Sequence, residues 1–157
     1  MIIGGHSIGL HTMTQNDAAF RSDFAAFTAE LEEENSLLEK LFRIRTRLIR
    51  APEGSATGRK RITISTENGE VLGDMGYIVW DWNVDIPDTG YRIAQNIANT
   101  AISGIKQYTV SVLRFHSTQR TVEALPIVLE FISENAGFDV AAITAASAEI
   151  NLIGYYE

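Results

Sequence analysis

The chain contains no cysteine, only three prolines, and no apolar run near the ~18 residues that cross a bilayer as a helix. Without cysteine there are no disulfides, no thiol nucleophile and no cysteine-ligated zinc. Few prolines and no low-complexity segment leave no linker to divide the 157 residues. The N-terminal stretch MIIGGHSIGLHTMTQNDAAF lacks a basic region followed by a long apolar one, so no secretory leader is expected. The glycine groups GGHSIG, EGSATG and VLGDMG carry no Walker lysine and do not run from a strand into a helix, which phosphate cradling requires. No serine or carboxylate spacing around a histidine suggests a nucleophilic triad.

What is present is an ordinary globular composition, 45% hydrophobic and 21% charged, with an uneven charge distribution. The net charge is −7, yet seven of the thirteen lysines and arginines fall in FRIRTRLIRAPEGSATGRKRIT, residues 42–63. Arg43, Arg45, Arg47, Arg50, Arg59, Lys60 and Arg61 are offset there only by Glu53, so the segment carries about +6 and the remainder about −13. The most acidic part of that remainder is AELEEENSLLEK, with Glu32, Glu33 and Glu34. Such a dipole suits contact between copies, or one basic surface aimed at an anion.

Hydrophobic periodicity gives the element order. Phe20, Phe24, Phe27 and Leu31 share a helical face, predicting a helix over 17–41 capped by Asn16 or Asp17, either unbroken or interrupted near Asn35, where Ser36 and Glu39 form a capping-box pattern. Phe42, Ile44, Thr46 and Leu48 alternate with arginines, predicting a strand with one cationic face. RKRITISTE alternates again and ends at an Asn-Gly pair that signals a turn. GYIVWDWNVDIP reads as a strand with Ile78, Trp80, Trp82 and Val84 on one side and Tyr77, Val79 and Asp81 on the other. Residues 88–104 fit either a short helix or an irregular arm. KQYTVSVLRFH is a strand by composition. Ser117 or Thr118 caps a second helix whose stripe is Val122, Leu125, Leu129 and Ile132, and which either starts late or bends at Pro126 and ends at Gly137. ASAEINLIGYYE is a final strand. The expectation is an arm over 1–16 and a single α+β domain over 17–157, a mainly antiparallel sheet with two principal helices on one face.

The chemistry-bearing residues are sparse. His6 and His11 do not have the i,i+4 spacing of a helical metal pair and read as solvated. His116 ends a strand just before a helix cap. Asp81 and Asp85 share a strand face near Asp88, an arrangement open to acid–base chemistry or to plain solvation. Trp80 and Trp82 keep aliphatic company and read as core. Nothing calls for a cofactor, a metal or a membrane. The basic hairpin is an exposed strand face, a dock for an acidic protein surface, or a phosphate-binding surface; the acidic balance of the chain weighs against nucleic acid.

The element order, most closely YTVSVLRFHSTQRTVEALPIVLEFISENAGF followed by ASAEINLIGYYE, resembles the tail-terminator or neck (head–tail connector) proteins of long-tailed bacteriophages. That resemblance implies a non-enzymatic structural subunit, made in the host cytoplasm and located in the virion. It implies a hexameric ring that caps the tail tube and joins it to neck proteins. Arg43, Arg45, Arg47, Arg59, Lys60 and Arg61 of one copy would then face Glu32, Glu33 and Glu34 of the next. Two other readings stand beside it: a nucleic-acid-binding module using residues 43–61, and a small-molecule enzyme or ligand-binding domain with His116 and Asp81 in one pocket.

Overall fold

The computed structural model describes residues 1–14, 22–57, 61–90 and 92–153. The chain divides into two compact units, one formed by Met1–Asp81 with Ala142–Glu157, the other by Trp82–Ala141. Among the described residues no helix is long and apolar enough to cross a membrane.

The first unit is organised by helix α1, Phe24–Phe42. Asp23 caps it by accepting a hydrogen bond from the Ala26 amide. Phe27 and Leu31, one turn apart, are buried, and the next step along that face is buried Asn35. The Asn35 amide grips both backbone groups of Thr46, accepting from its N–H at 2.9 Å and donating to its carbonyl at 3.0 Å. This fixes the chain as it returns from the helix. The helix runs through Ser36 and Glu39 without a break. The proposed caps Asn16 and Asp17, and Phe20, lie outside the described residues.

The expected strand from Phe42 begins later than its pattern suggests. Phe42 is the last helical residue and is exposed, and Arg43 turns the chain in the left-handed region with φ 60°. Only then does alternation set in, with Ile44, Thr46 and Leu48 half-buried and Arg43, Arg45 and Arg47 exposed. The paired strand is β1, Leu48–Ile49. Its partner is β4, Ile78–Val79, and the pair is parallel. Leu10, fully buried, lies parallel against β1, its amide bonded to Leu48 O and its carbonyl to the Arg50 amide. The short hairpin β2 (Ala56–Thr57) and β3 (Arg61–Ile62) is the antiparallel pair of the unit; residues 58–60 lie outside the described ones.

The Asn-Gly pair does not turn a hairpin. Ser65 accepts a hydrogen bond from the Asn68 amide and opens helix α2, Thr66–Asp74, so Asn68 and Gly69 are helical. A Cβ on Gly69 would lie 2.9 Å from Ile153 Cγ2, so a side chain there would push away the segment that packs on it. That segment was expected to be a strand, and its described residues instead make isolated attachments, such as Asp81 N–H to Ile150 O at 2.7 Å.

The second unit pairs β5, Val84–Asp85, with β6, Leu113–Arg114, again in parallel. Between them runs α3, Ala94–Ile105, which settles residues 88–104 as partly helical. Gly104 permits its close approach to β5, because a Cβ there would sit 2.2 Å from Val84 Cγ1. Helix α4, Gln119–Glu134, follows, capped by Thr118, which accepts from the Thr121 amide at 3.1 Å. Pro126 lies inside it and withholds a donor from the Val122 carbonyl. Its buried face is Thr121, Ala124 and Val128, one residue round from the expected stripe. Val122, Leu125 and Leu129 are 61%, 36% and 54% exposed, so three of the four residues predicted as core face outward.

The sheet expectation is therefore overturned. Among the described residues, two of the three strand pairs are parallel, each joined through a helix, and the paired strands show two residues each. The physical reason is that alternation records which side of an extended chain is wet and says nothing about the direction of its neighbour.

Candidate functional site

Each unit holds a buried aspartate with a hydroxyl partner, and the two differ in what remains available. In the first unit Asp81, 4% exposed, receives Ser55 N–H at 2.8 Å, the Ser55 hydroxyl, and Leu152 N–H at 2.9 Å. Its acceptors are spent on backbone and on a fully buried serine.

In the second unit Asp88, 1% exposed, accepts three hydrogen bonds of 2.6 Å, from His116 N–H, from the His116 ring at Nδ1, and from the Thr121 hydroxyl. Two elements supply these donors: the end of the extended chain leaving β6, and the first turn of α4. The hydroxyls of Thr118 and Thr121 also meet at 2.9 Å. Burial pushes the Asp88 carboxyl up, but the Thr121 hydroxyl and the backbone and ring N–H of His116 outweigh it, and the group sits below its ordinary value. An ionised carboxylate can only accept, so Nδ1 of His116 carries the proton and Nε2 of the neutral ring offers its lone pair. The imidazole is 43% exposed, while the carboxylate behind it is sealed. An imidazole with its tautomer fixed and its far nitrogen open can take a proton from, or give one to, a bound molecule.

Beside this dyad, Arg114 donates from Nε to Asp85 Oδ1 at 2.7 Å, and its Nη2 forms an ion pair with the same oxygen at 2.7 Å. Its guanidinium lies 4.3 Å from the centre of the Trp82 ring. Trp82, expected in the core, is only half-buried. The pairing of Asp81 with Asp85 on one strand face is not formed, since Asp81 engages Ser55 and Asp85 engages Arg114. The partner of His116 is Asp88, not the Asp81 expected to share its pocket. The order Pro87–Asp88, with His116 immediately before the Ser-Thr cap, is the signal the sequence offers for this pair.

In the first unit His11 is half-buried, its Nδ1 bonded to the Arg50 carbonyl at 2.6 Å, and burial lowers its pKa below the ordinary 6.5. Glu34 accepts from the amides of His11 and Thr12, both at 2.9 Å. His6 is exposed. Among the described residues no three histidine, aspartate or glutamate side chains are grouped to hold a metal ion.

The residues expected at a subunit boundary are placed as follows. Arg45 forms ion pairs with Glu32 at 2.6 Å and Glu39 at 3.2 Å, both on α1 of its own chain. The Tyr77 hydroxyl and then Arg45 hold the Glu32 carboxyl below the usual range. Arg47 donates to the Gly76 carbonyl. Arg43 caps α1, Glu33 is exposed, and Arg61 lies in β3. Arg59 and Lys60 fall outside the described residues.

Comparison with known proteins adds a direction. The family model for polysaccharide deacetylase matches residues 1–70. The peptidoglycan-N-acetylglucosamine deacetylase of Bacillus cereus is 27% identical over 144 residues, covering 88% of this chain and 50% of that protein. The catalytic domain of peptidoglycan N-acetylglucosamine deacetylase from Eubacterium rectale superposes with a TM-score of 0.82 at 21% identity, over 96% of this chain and 70% of the other. The polysaccharide deacetylase Bc1974 from Bacillus cereus gives 0.78 at 24%, over 93% and 71%. These superpositions show a shared fold, and the chain spans about half the length of the curated relatives it matches.

These matches overturn the resemblance to phage tail-terminator and neck proteins. The hexameric ring, the tail-tube and neck partners and the virion location fall with it, as does the non-enzymatic reading, because the proteins matched are deacetylases. The nucleic-acid alternative gains no support from them. Part of the physical basis for the ring also weakens, since Arg45 finds its acidic partners within its own chain.

Proposed function

We propose that the chain serves a hydrolytic deacetylase that removes acetyl groups from an N-acetylated amino-sugar polymer, with His116 as the proton-transfer group. The observation that carries this reading is the Asp88–His116 pair, a sealed carboxylate holding an exposed imidazole, in a fold shared with polysaccharide deacetylases. Hydrolysis of an acetamide breaks a C–N bond once water has added to the carbonyl, and the departing nitrogen needs a proton to leave as an amine. The neutral His116 ring takes at Nε2 the proton that water sheds as it adds, and returns that proton to the departing nitrogen. Asp88 keeps Nδ1 protonated, aims the ring, and stabilises the imidazolium. Thr121 and the His116 amide hold the carboxylate still.

The test is acetate release from chitooligosaccharides by the purified chain and by His116→Gln. Turnover by the wild type that falls by at least about 100-fold in the variant supports the reading. No acetate from the wild type, or an equal rate in the variant, sinks it.

A further inference from the structure

Trp82, Arg114 and Asp85 form a second feature on the side of the β5–β6 pair that carries His116. Val84, Ile86, Leu113 and Phe115 all pack into the core of the second unit. Side chains alternate along extended chain, so Asp85, Arg114 and His116 project from the opposite side. Arg114 and His116 are two residues apart, about 6.6 Å along an extended strand, which is close to the breadth of one sugar ring.

The arginine is clamped on two sides. Asp85 meets its Nε by a hydrogen bond and its Nη2 by an ion pair through one oxygen, Oδ1, and the guanidinium carbon sits over the Trp82 ring. Its side chain is only 19% exposed, whereas that of Asp85 is 59% exposed. The Asp85 side chain is therefore open to water beside a guanidinium held on two sides. A plain cross-strand ion pair would shield the sheet without needing an aromatic wall. The combination of a flat stacked surface, an oriented donor edge and an adjacent acceptor oxygen matches a sugar ring, which offers hydroxyls that both donate and accept and an acetamido carbonyl that accepts.

Resting on the deacetylase reading, we propose that Trp82, Arg114 and Asp85 form a carbohydrate subsite seating the sugar unit next to the one whose acetyl group is processed at His116. The preferred substrate is therefore an oligomer, and a single N-acetylated sugar cannot reach both places.

The experiment compares N-acetylglucosamine with its tetramer, reading acetate release and, separately, binding by NMR titration, for wild type, Arg114→Ala, Asp85→Asn and His116→Gln. Arg114→Ala is expected to raise KM for the tetramer about tenfold, the size of one lost charge-assisted hydrogen bond, with kcat little changed and the monomer unaffected. Asp85→Asn, which keeps the shape of the side chain, gives a smaller rise, and a thermal melt confirms that both variants fold. His116→Gln loses turnover and keeps tetramer binding. An unchanged tetramer KM in Arg114→Ala, or a wild type that does not bind the tetramer, overturns the subsite. Wild-type binding that depends on Arg114 without any acetate release leaves the subsite standing and removes the deacetylase reading instead.

Discussion

Asp81 and Asp88 make a natural comparison. Both are buried, both accept from a hydroxyl, and both accept from a backbone N–H. They differ in one donor. Asp81 closes on Ser55 and Leu152, groups with nothing further to offer, and acts as a clamp. Asp88 holds an imidazole whose far side is open, so its charge is felt by whatever approaches His116. A buried carboxylate becomes part of a reactive site through the exposure of the group it holds, not through its own burial.

The sharpest way to break this comparison is to neutralise each aspartate. Asp88→Asn turns an amide toward Nδ1 and removes the charge opposite the imidazolium, so acetate release should drop by ~10²–10⁴ with the fold retained. Asp81→Asn should leave turnover per folded molecule within about twofold. Its cost appears in urea unfolding instead, about 2–3 kcal/mol, because an amide N–H₂ cannot satisfy the buried donors of Ser55 and Leu152. Similar turnover losses in both variants would erase the distinction.

A smaller effect comes from the two hydroxyls. Ser55→Ala and Thr121→Val each remove one donor to a buried carboxylate, and each should cost about 1–2 kcal/mol in the same assay. Only Thr121→Val should also lower kcat, by loosening the group that aims His116, and Thr121→Ser should restore it.

Acid should produce the smallest change and separate the units by order. The folded pKa of His11 lies below 6.5, so its stabilisation is complete above about pH 6.5 and is lost as pH falls through the lower folded value. The folded pKa of Asp88 lies below 3.8, so its contribution persists above about pH 4 and is lost only as pH falls through a still lower value. Hydrogen exchange resolved by residue, followed from pH 7.5 to 3, should show amides around Leu10 and Ile49 loosening before those around Ile86 and Thr121. Simultaneous loosening would contradict it.

The sequence revealed wet and dry sides better than it revealed neighbours. Phe27, Leu31 and the outward Arg43, Arg45 and Arg47 were legible because burial periodicity is local. The parallel pairing of Leu48 with Ile78 was not, since it depends on a crossover through α2, and Asn68-Gly69 pointed to a turn that the Ser65 cap overrode. In α4 the larger side chains drew the expected stripe to Val122, Leu125 and Leu129. Packing instead selected smaller Thr121, Ala124 and Val128, where backbone can approach closely. The candidate site was half visible. His116 stood out at its helix cap, but nothing local shows that the Asp88 carboxylate will be covered and given three donors.

The anchoring of Leu152 to Asp81 and of Ile153 beside Gly69 has a consequence for synthesis. The second unit is one continuous stretch and has all its residues once Ala141 has left the ribosome. The first begins earlier but cannot close until the residues around 150–153 emerge, so the unit translated first is the one completed last. Until then Ser55 and Asp81 wait with an unfilled place, and a nascent chain stalled before Leu152 should expose that half to proteases while sparing the other.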